Sequence, residues 1–161
     1  MWEETDMAIV GPEEKFGIKL HSKSGHRTID QSYSLLLGIV VIVLGILGFF
    51  LTGMANYTEM SDHYILGLFQ TNGFHNTIYI ILGVFWLIGA FALTPAGNQG
   101  MNIAFGGILL LVGVMGFMGY WSLLSIPPGI NGDNILDVVV GLVTLLVGGG
   151  ALSAGQASAR A

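Results

Sequence analysis

Four uncharged or nearly uncharged stretches, at about residues 33–53, 76–94, 101–121 and 135–154, restrict this chain to very few folds. Each is close to the roughly 20 residues that carry an α-helix across a bilayer core. Hydrocarbon tolerates a backbone only when its polar groups are bonded internally, which favours helices for runs of this length. A soluble domain has roughly 25% charged residues. This chain of 161 residues has 9%, with 53% hydrophobic residues and a mean hydropathy of +0.74. The expected fold is an all-α integral membrane protein, a four-transmembrane-helix bundle over residues 33–154. It lies between a charged tail (1–32) and a short C-terminal tail (155–161).

The charges are segregated. Residues 1–32 hold ten of the fifteen, with Glu3, Glu4, Asp6, Glu13 and Glu14 preceding Lys15, Lys19, Lys23 and Arg27. The basic block reads as a contact for anionic lipid or for a partner protein. The order of charges does not suit a cleavable signal peptide, whose apolar core follows a short basic start. All five Lys and Arg lie before the first stretch or after the last, at Arg160. By the positive-inside rule both ends are then cytoplasmic, which requires an even number of spans. The second and third spans are separated only by PAGNQG (95–100), a tight hairpin, and the two longer connections face outward. In the first of these, the short apolar segment Tyr64–Phe69 is read as lying in the interface or capping the bundle.

HNTIYIILG (75–83) is echoed by DNILDVVVG (133–141), and VLGILGFF (43–50) by LVGVMGFM (111–118). The chain therefore reads as two tandem helix pairs related by a pseudo-two-fold axis along the membrane normal. Small residues recur every seven positions: Gly38 and Gly45; Asn76, Gly83, Ala90 and Gly97; Gly106 and Gly113; Asn134, Gly141, Gly148 and Gly155. Seven residues return nearly to one helix face. Small side chains on that face let backbones approach where lipid removes the hydrophobic drive between helices. A left-handed bundle follows, with Asn76 and Asn134 as hydrogen-bonding groups between helices.

These residues resemble a bacterial four-span membrane family, domain-of-unknown-function family 4383. Gly67-Leu68-Phe69, His75-Asn76, Gly83, Asn134 and Gly141 carry the resemblance, which covers about 33–154. It implies this fold and a multi-pass place in a bacterial plasma membrane, and it implies no activity. Tyr79 and Asp137 stand where the family often has His.

Candidate chemistry is sparse. Asp137 is the one ionisable side chain expected inside a span, and an intramembrane acid is a functional hypothesis by default. The repeat aligns it with Tyr79, and Asp133 with His75. An outer-mouth polar cluster of His75, Asn76, Tyr79, Asp133, Asn134 and Asp137 is the result, read as structural pairing or as a proton or ligand site. No cofactor is expected. Heme or chlorophyll held through His63 or His75 is an alternative, although axial ligands need matched depth on facing helices. No HExxH, GxSxG or GxxxxGK[ST] pattern occurs, so no enzymatic role is expected. No metal site is expected, and the net charge of −5 does not suit nucleic acid. The expected function is that of an accessory or stabilising subunit packed against lipid and other integral membrane subunits. The alternative is a small transporter or channel subunit using the outer cluster.

Overall fold

The computed structural model describes residues 27–54, 57–59, 62–120 and 128–150, and the backbone of 14–15 and 18–19. Four helices dominate: α1 (Ile29–Thr52), α2 (Gly73–Ala92), α3 (Pro95–Phe117) and α4 (Gly132–Gly148). The first three are long and apolar enough to cross a membrane, and α4 has 17 residues. Two small antiparallel pairings accompany them: β1 (Glu14–Lys15) with β2 (Ile18–Lys19), and β3 (Tyr64–Ile65) with β4 (Phe69–Gln70). Lys15 and Lys19 belong to the first pairing, and Lys23 lies outside the described residues.

The helices begin earlier than the apolar runs because each opens on a polar cap. Thr28 and Gln31 form a capping box at α1, and Thr94 caps α3 with Pro95 in its first turn. Asn72 and Asn131 accept from His75 N–H and Asn134 N–H at α2 and α4. PAGNQG is therefore the start of α3, and the connection from α2 is only Leu93-Thr94. Gly97 belongs to α3, so it does not extend the small-residue stripe of α2. The far ends come early too. Gly119 takes φ +78° after α3, and Gly150 takes φ +73° after α4, conformations that suit glycine at a helix terminus. The segment Tyr64–Phe69 is a hairpin, turning through Leu66 (φ 56°) and Gly67 (φ 69°).

Apolar side chains face outward along the bundle, among them Leu36, Phe50, Phe91 and Leu146. Among the described residues the buried hydrophobic side chains are only Ile65, Trp86, Ala90 and Val147, while glycines and polar groups fill the contacts. That distribution suits a bundle whose solvent is lipid.

Two antiparallel pairs, α1 with α2 and α3 with α4, pack backbone to backbone. A methyl group at Gly38 would lie 2.9 Å from Gly83 O, and one at Gly106 would lie 2.8 Å from Gly141 O. The next contacts match as well. A methyl at Gly45 would meet Asn76 O at 2.7 Å, and one at Gly113 would meet Asn134 O at 2.8 Å. The seam of the second pair continues to Gly148, where a methyl would meet Gln99 O at 2.8 Å. Gly155 is outside the described residues.

Candidate functional site

The loop end of the bundle is organised by the caps of α2 and α4. Asn72 also donates to Glu59 O at 3.1 Å, which ties the incoming loop to the helix start. From these starts His75 and Tyr79 project from one face of α2, and Asp133 and Asp137 from one face of α4, since residues four apart are neighbours on a helix. The four side chains line a common cavity of about 200 Å³, whose remaining walls are Phe74, Ile78 and, from α3, Val112.

Asp133 is only 7% exposed. Its Oδ2 accepts from the Gln70 backbone N–H at 3.1 Å, and its Oδ1 has no hydrogen-bond partner among the described residues. The β3–β4 hairpin is thus tied to the start of α4 beside the cavity. Gly132 lies so close beneath Leu68 O that a methyl there would collide with it. His75 and Asp137 are half-buried, and the His75 ring hydrogen-bonds with the Gln70 backbone.

Asn76 and Asn134 do not face this space. Each sits on its glycine seam, where a methyl at Gly48 or Gly116 would overlap its side-chain oxygen. Asn76 donates to Thr52 Oγ1 at 3.0 Å and accepts from the Thr71 hydroxyl. Asn134 donates to Gly129 O at 2.8 Å. The six polar residues expected at an outer mouth therefore divide into four around a cavity and two between helices.

Tyr79 also borders a second space, an apolar chamber of about 90 Å³ between the pairs, whose far side is Trp86. Beyond it lies a buried polar network that the apolar-run reading passes over. Trp86 Nε1 donates to Asn102 Oδ1 at 3.2 Å, and Asn102 Nδ2 donates to Asn98 Oδ1 at 2.9 Å. The Ser34 hydroxyl lies 3.1 Å from Asn98 Oδ1 and 3.2 Å from Asn102 Oδ1, and accepts from Asn98 Nδ2 at 3.1 Å. Gln31 donates to Leu93 O at 3.0 Å, Gln99 to Asp30 Oδ2 at 3.4 Å, and Tyr33 and Thr144 share a bond of 2.6 Å. These bonds join the two helix pairs at the end opposite the cavity. Asp30 and Gln31 fall in the first turn of α1, each 2% exposed, rather than in a solvated tail. A signal for them existed: Asp30-Gln31-x-x-Ser34 and Asn98-Gln99-x-x-Asn102 repeat at the 68-residue offset that relates Gly38 to Gly106.

His63 is an exposed loop residue, while His75 is at the cavity wall. Among the described residues no three His, Asp or Glu side chains cluster as metal ligands. Arg27, the one placed basic side chain, is exposed at the start of α1, its guanidinium 4.8 Å from the centre of the Phe91 ring.

A family model described as a domain of unknown function (DUF4383) matches residues 31–150, which include all four helices apart from the first two residues of α1 and both parts of the cavity wall. No curated protein and no solved structure shows a significant match to the chain.

Proposed function

The chain belongs to the DUF4383 family, and for this member we propose a non-enzymatic membrane protein that binds a small solute between its helix pairs, as a small transporter or channel subunit does. The observation that carries this reading is Asp133, 7% exposed, with a carboxylate oxygen that has no hydrogen-bond partner among the described residues, beside a cavity of about 200 Å³. Removing a carboxylate from water without pairing it costs several kcal/mol, and ionisable groups at membrane depth mark substrate and ion pathways. The accessory-subunit reading started from a sealed bundle, and a solute-sized space between the pairs weakens that start.

The proposed architecture is a tandem repeat of one helix pair about an axis along the membrane normal. Its support is the recurrence of the seam contacts at offsets of 68 residues in α1 and α3 and 58 in α2 and α4. The proposed setting is a bacterial plasma membrane, with both termini and the Ser34–Asn102 network on the cytoplasmic side and the cavity facing out. The segregated Lys and Arg support that orientation.

Purified protein, screened against small charged and neutral solutes by thermal unfolding, tests the function. Binding that is lost in the cavity-filling variant Val112→Phe, followed by flux of the same solute in liposomes, is the expected result. Absence of any solute effect, with another membrane subunit co-purifying at fixed stoichiometry, would return the accessory role.

A further inference from the structure

We infer that the cavity takes a small organic cation, an ammonium group on an apolar body, with Asp133 and Asp137 as its counter-charges. The inference rests on the reading of the cavity as a binding site and names the class of its ligand.

Charge points first to a cation. Asp133 and Asp137 lie one helical turn apart facing the same space, and one Asp133 oxygen has no hydrogen-bond partner among the described residues. No Lys or Arg occurs between positions 27 and 160, so neither the two outer loops nor the walls supply a basic residue. Arg27 is at the far end of α1, whose 24 residues rise about 36 Å. His75 is engaged with the Gln70 backbone. When ionised, these carboxylates have no basic side chain beside them, so an external cation competes with a proton to neutralise them.

The rest of the wall selects among cations. Phe74, Ile78 and Val112 are apolar, and the adjoining chamber behind Tyr79 is lined almost wholly by aliphatic side chains. A divalent ion takes about six to eight oxygens, so here it would have to keep much of its water shell against the apolar side chains of Phe74, Ile78 and Val112. An ammonium group has at most three protons to place, which the Asp133 Oδ1, the Asp137 carboxylate and the Tyr79 hydroxyl suit in number and kind. The Phe74 and Tyr79 rings add faces that attract a cation. A volume of about 200 Å³ is that of roughly seven waters at ~30 Å³ each, hence of a solute on the order of ten heavy atoms.

The test uses the full-length protein in detergent and three probes of one shape: phenethylamine, the neutral 2-phenylethanol and the anion phenylacetate. Sodium and magnesium chloride are the inorganic arms. Calorimetric titration is expected to show the amine binding about tenfold or more tighter than the alcohol, with no binding of the acid. Asp137→Asn and Asp133→Asn should each weaken the amine by about tenfold or more and leave the alcohol unchanged. Asp133→Asn keeps an oxygen for the Gln70 N–H. If circular dichroism shows one variant unfolded, the other decides. Equal affinity for amine and alcohol, amine binding unchanged in a folded Asn variant, or displacement of the amine by sodium or magnesium at equal concentration would each overturn the organic-cation assignment while leaving a binding site. Binding of none of the five probes overturns the assignment, and failure of the broader solute screen as well would remove the binding-site reading beneath it.

Discussion

Gly83→Ala is expected to loosen the first helix pair by an amount that the backbone geometry bounds. A methyl at Gly83 would lie 2.8 Å from Gly38 O, 2.5 Å from Ile42 Cγ1 and 3.1 Å from Ile42 N. The Ile42 side chain can turn aside, but the oxygen and nitrogen are backbone atoms of α1. The oxygen contact is short of ordinary van der Waals contact at 3.4 Å by about 0.6 Å, so the helices must separate by an amount of that order. Overpacking of this kind costs about 1–3 kcal/mol. Alanine's helix propensity returns up to about 1 kcal/mol, which makes comparison with wild type alone a poor measure. Gly107→Ala is the right reference, because it gains the same propensity on α3 with nothing within 4 Å of the new methyl. Gly83→Ala should therefore be less stable than Gly107→Ala by about 1–3 kcal/mol in reversible unfolding followed by circular dichroism in mixed detergent micelles. Gly141→Ala, whose methyl would meet Leu110 N at 2.7 Å and Gly106 O at 2.9 Å, should behave like Gly83→Ala. If Gly83→Ala matched Gly107→Ala in stability, close backbone approach would not be what holds the pair together.

Three further outcomes are expected. Asn102→Ala leaves the Trp86 N–H without its acceptor and removes a bond to Asn98, so thermal unfolding should report a loss of about 1–3 kcal/mol with a change in tryptophan emission; unchanged emission would count against the Trp86 bond. Asn131→Ala and Asn72→Ala each remove a helix cap for about 1 kcal/mol together with a second side-chain bond, to Gly129 O and Glu59 O, so each should lower the melting temperature; an unchanged melting temperature in either would contradict this. The chain has no Cys, so single cysteines at Ser32 and at Ile130, which is 89% exposed, can be labelled uniquely. An impermeant maleimide should reach them from opposite faces of the membrane, and labelling of both from one face would refute the proposed topology.

Much of this organisation was legible because it depends on local chemistry. A run of about 20 apolar residues becomes a helix in hydrocarbon whatever its neighbours do, and a helix covers most of each of the four runs. The echoes and the seven-residue stripe pointed to Gly38, Gly45, Gly83, Gly106, Gly113 and Gly141, which lie where helix backbones approach each other. The ends of the helices were harder to read, because hydropathy is blind to caps. Thr28, Asn72, Thr94 and Asn131 are polar residues that start helices, and counting only apolar residues assigns them to loops.

The candidate site divides in the same way. The sequence by itself grouped His75, Tyr79, Asp133 and Asp137, because the echo of HNTIYIILG in DNILDVVVG sets them at matching positions near the starts of two helices. Only the tertiary structure decided that these four surround one cavity while Asn76 and Asn134 turn to the glycine seams, because that depends on the rotation of each helix about its axis. Rotation is set by where backbones touch, at Gly48 beneath Asn76 and Gly116 beneath Asn134. The same rotation brings Ser34 to Asn98 and Asn102 across 64 and 68 residues of chain. That burial of polar groups is stable only once all of its partners have met.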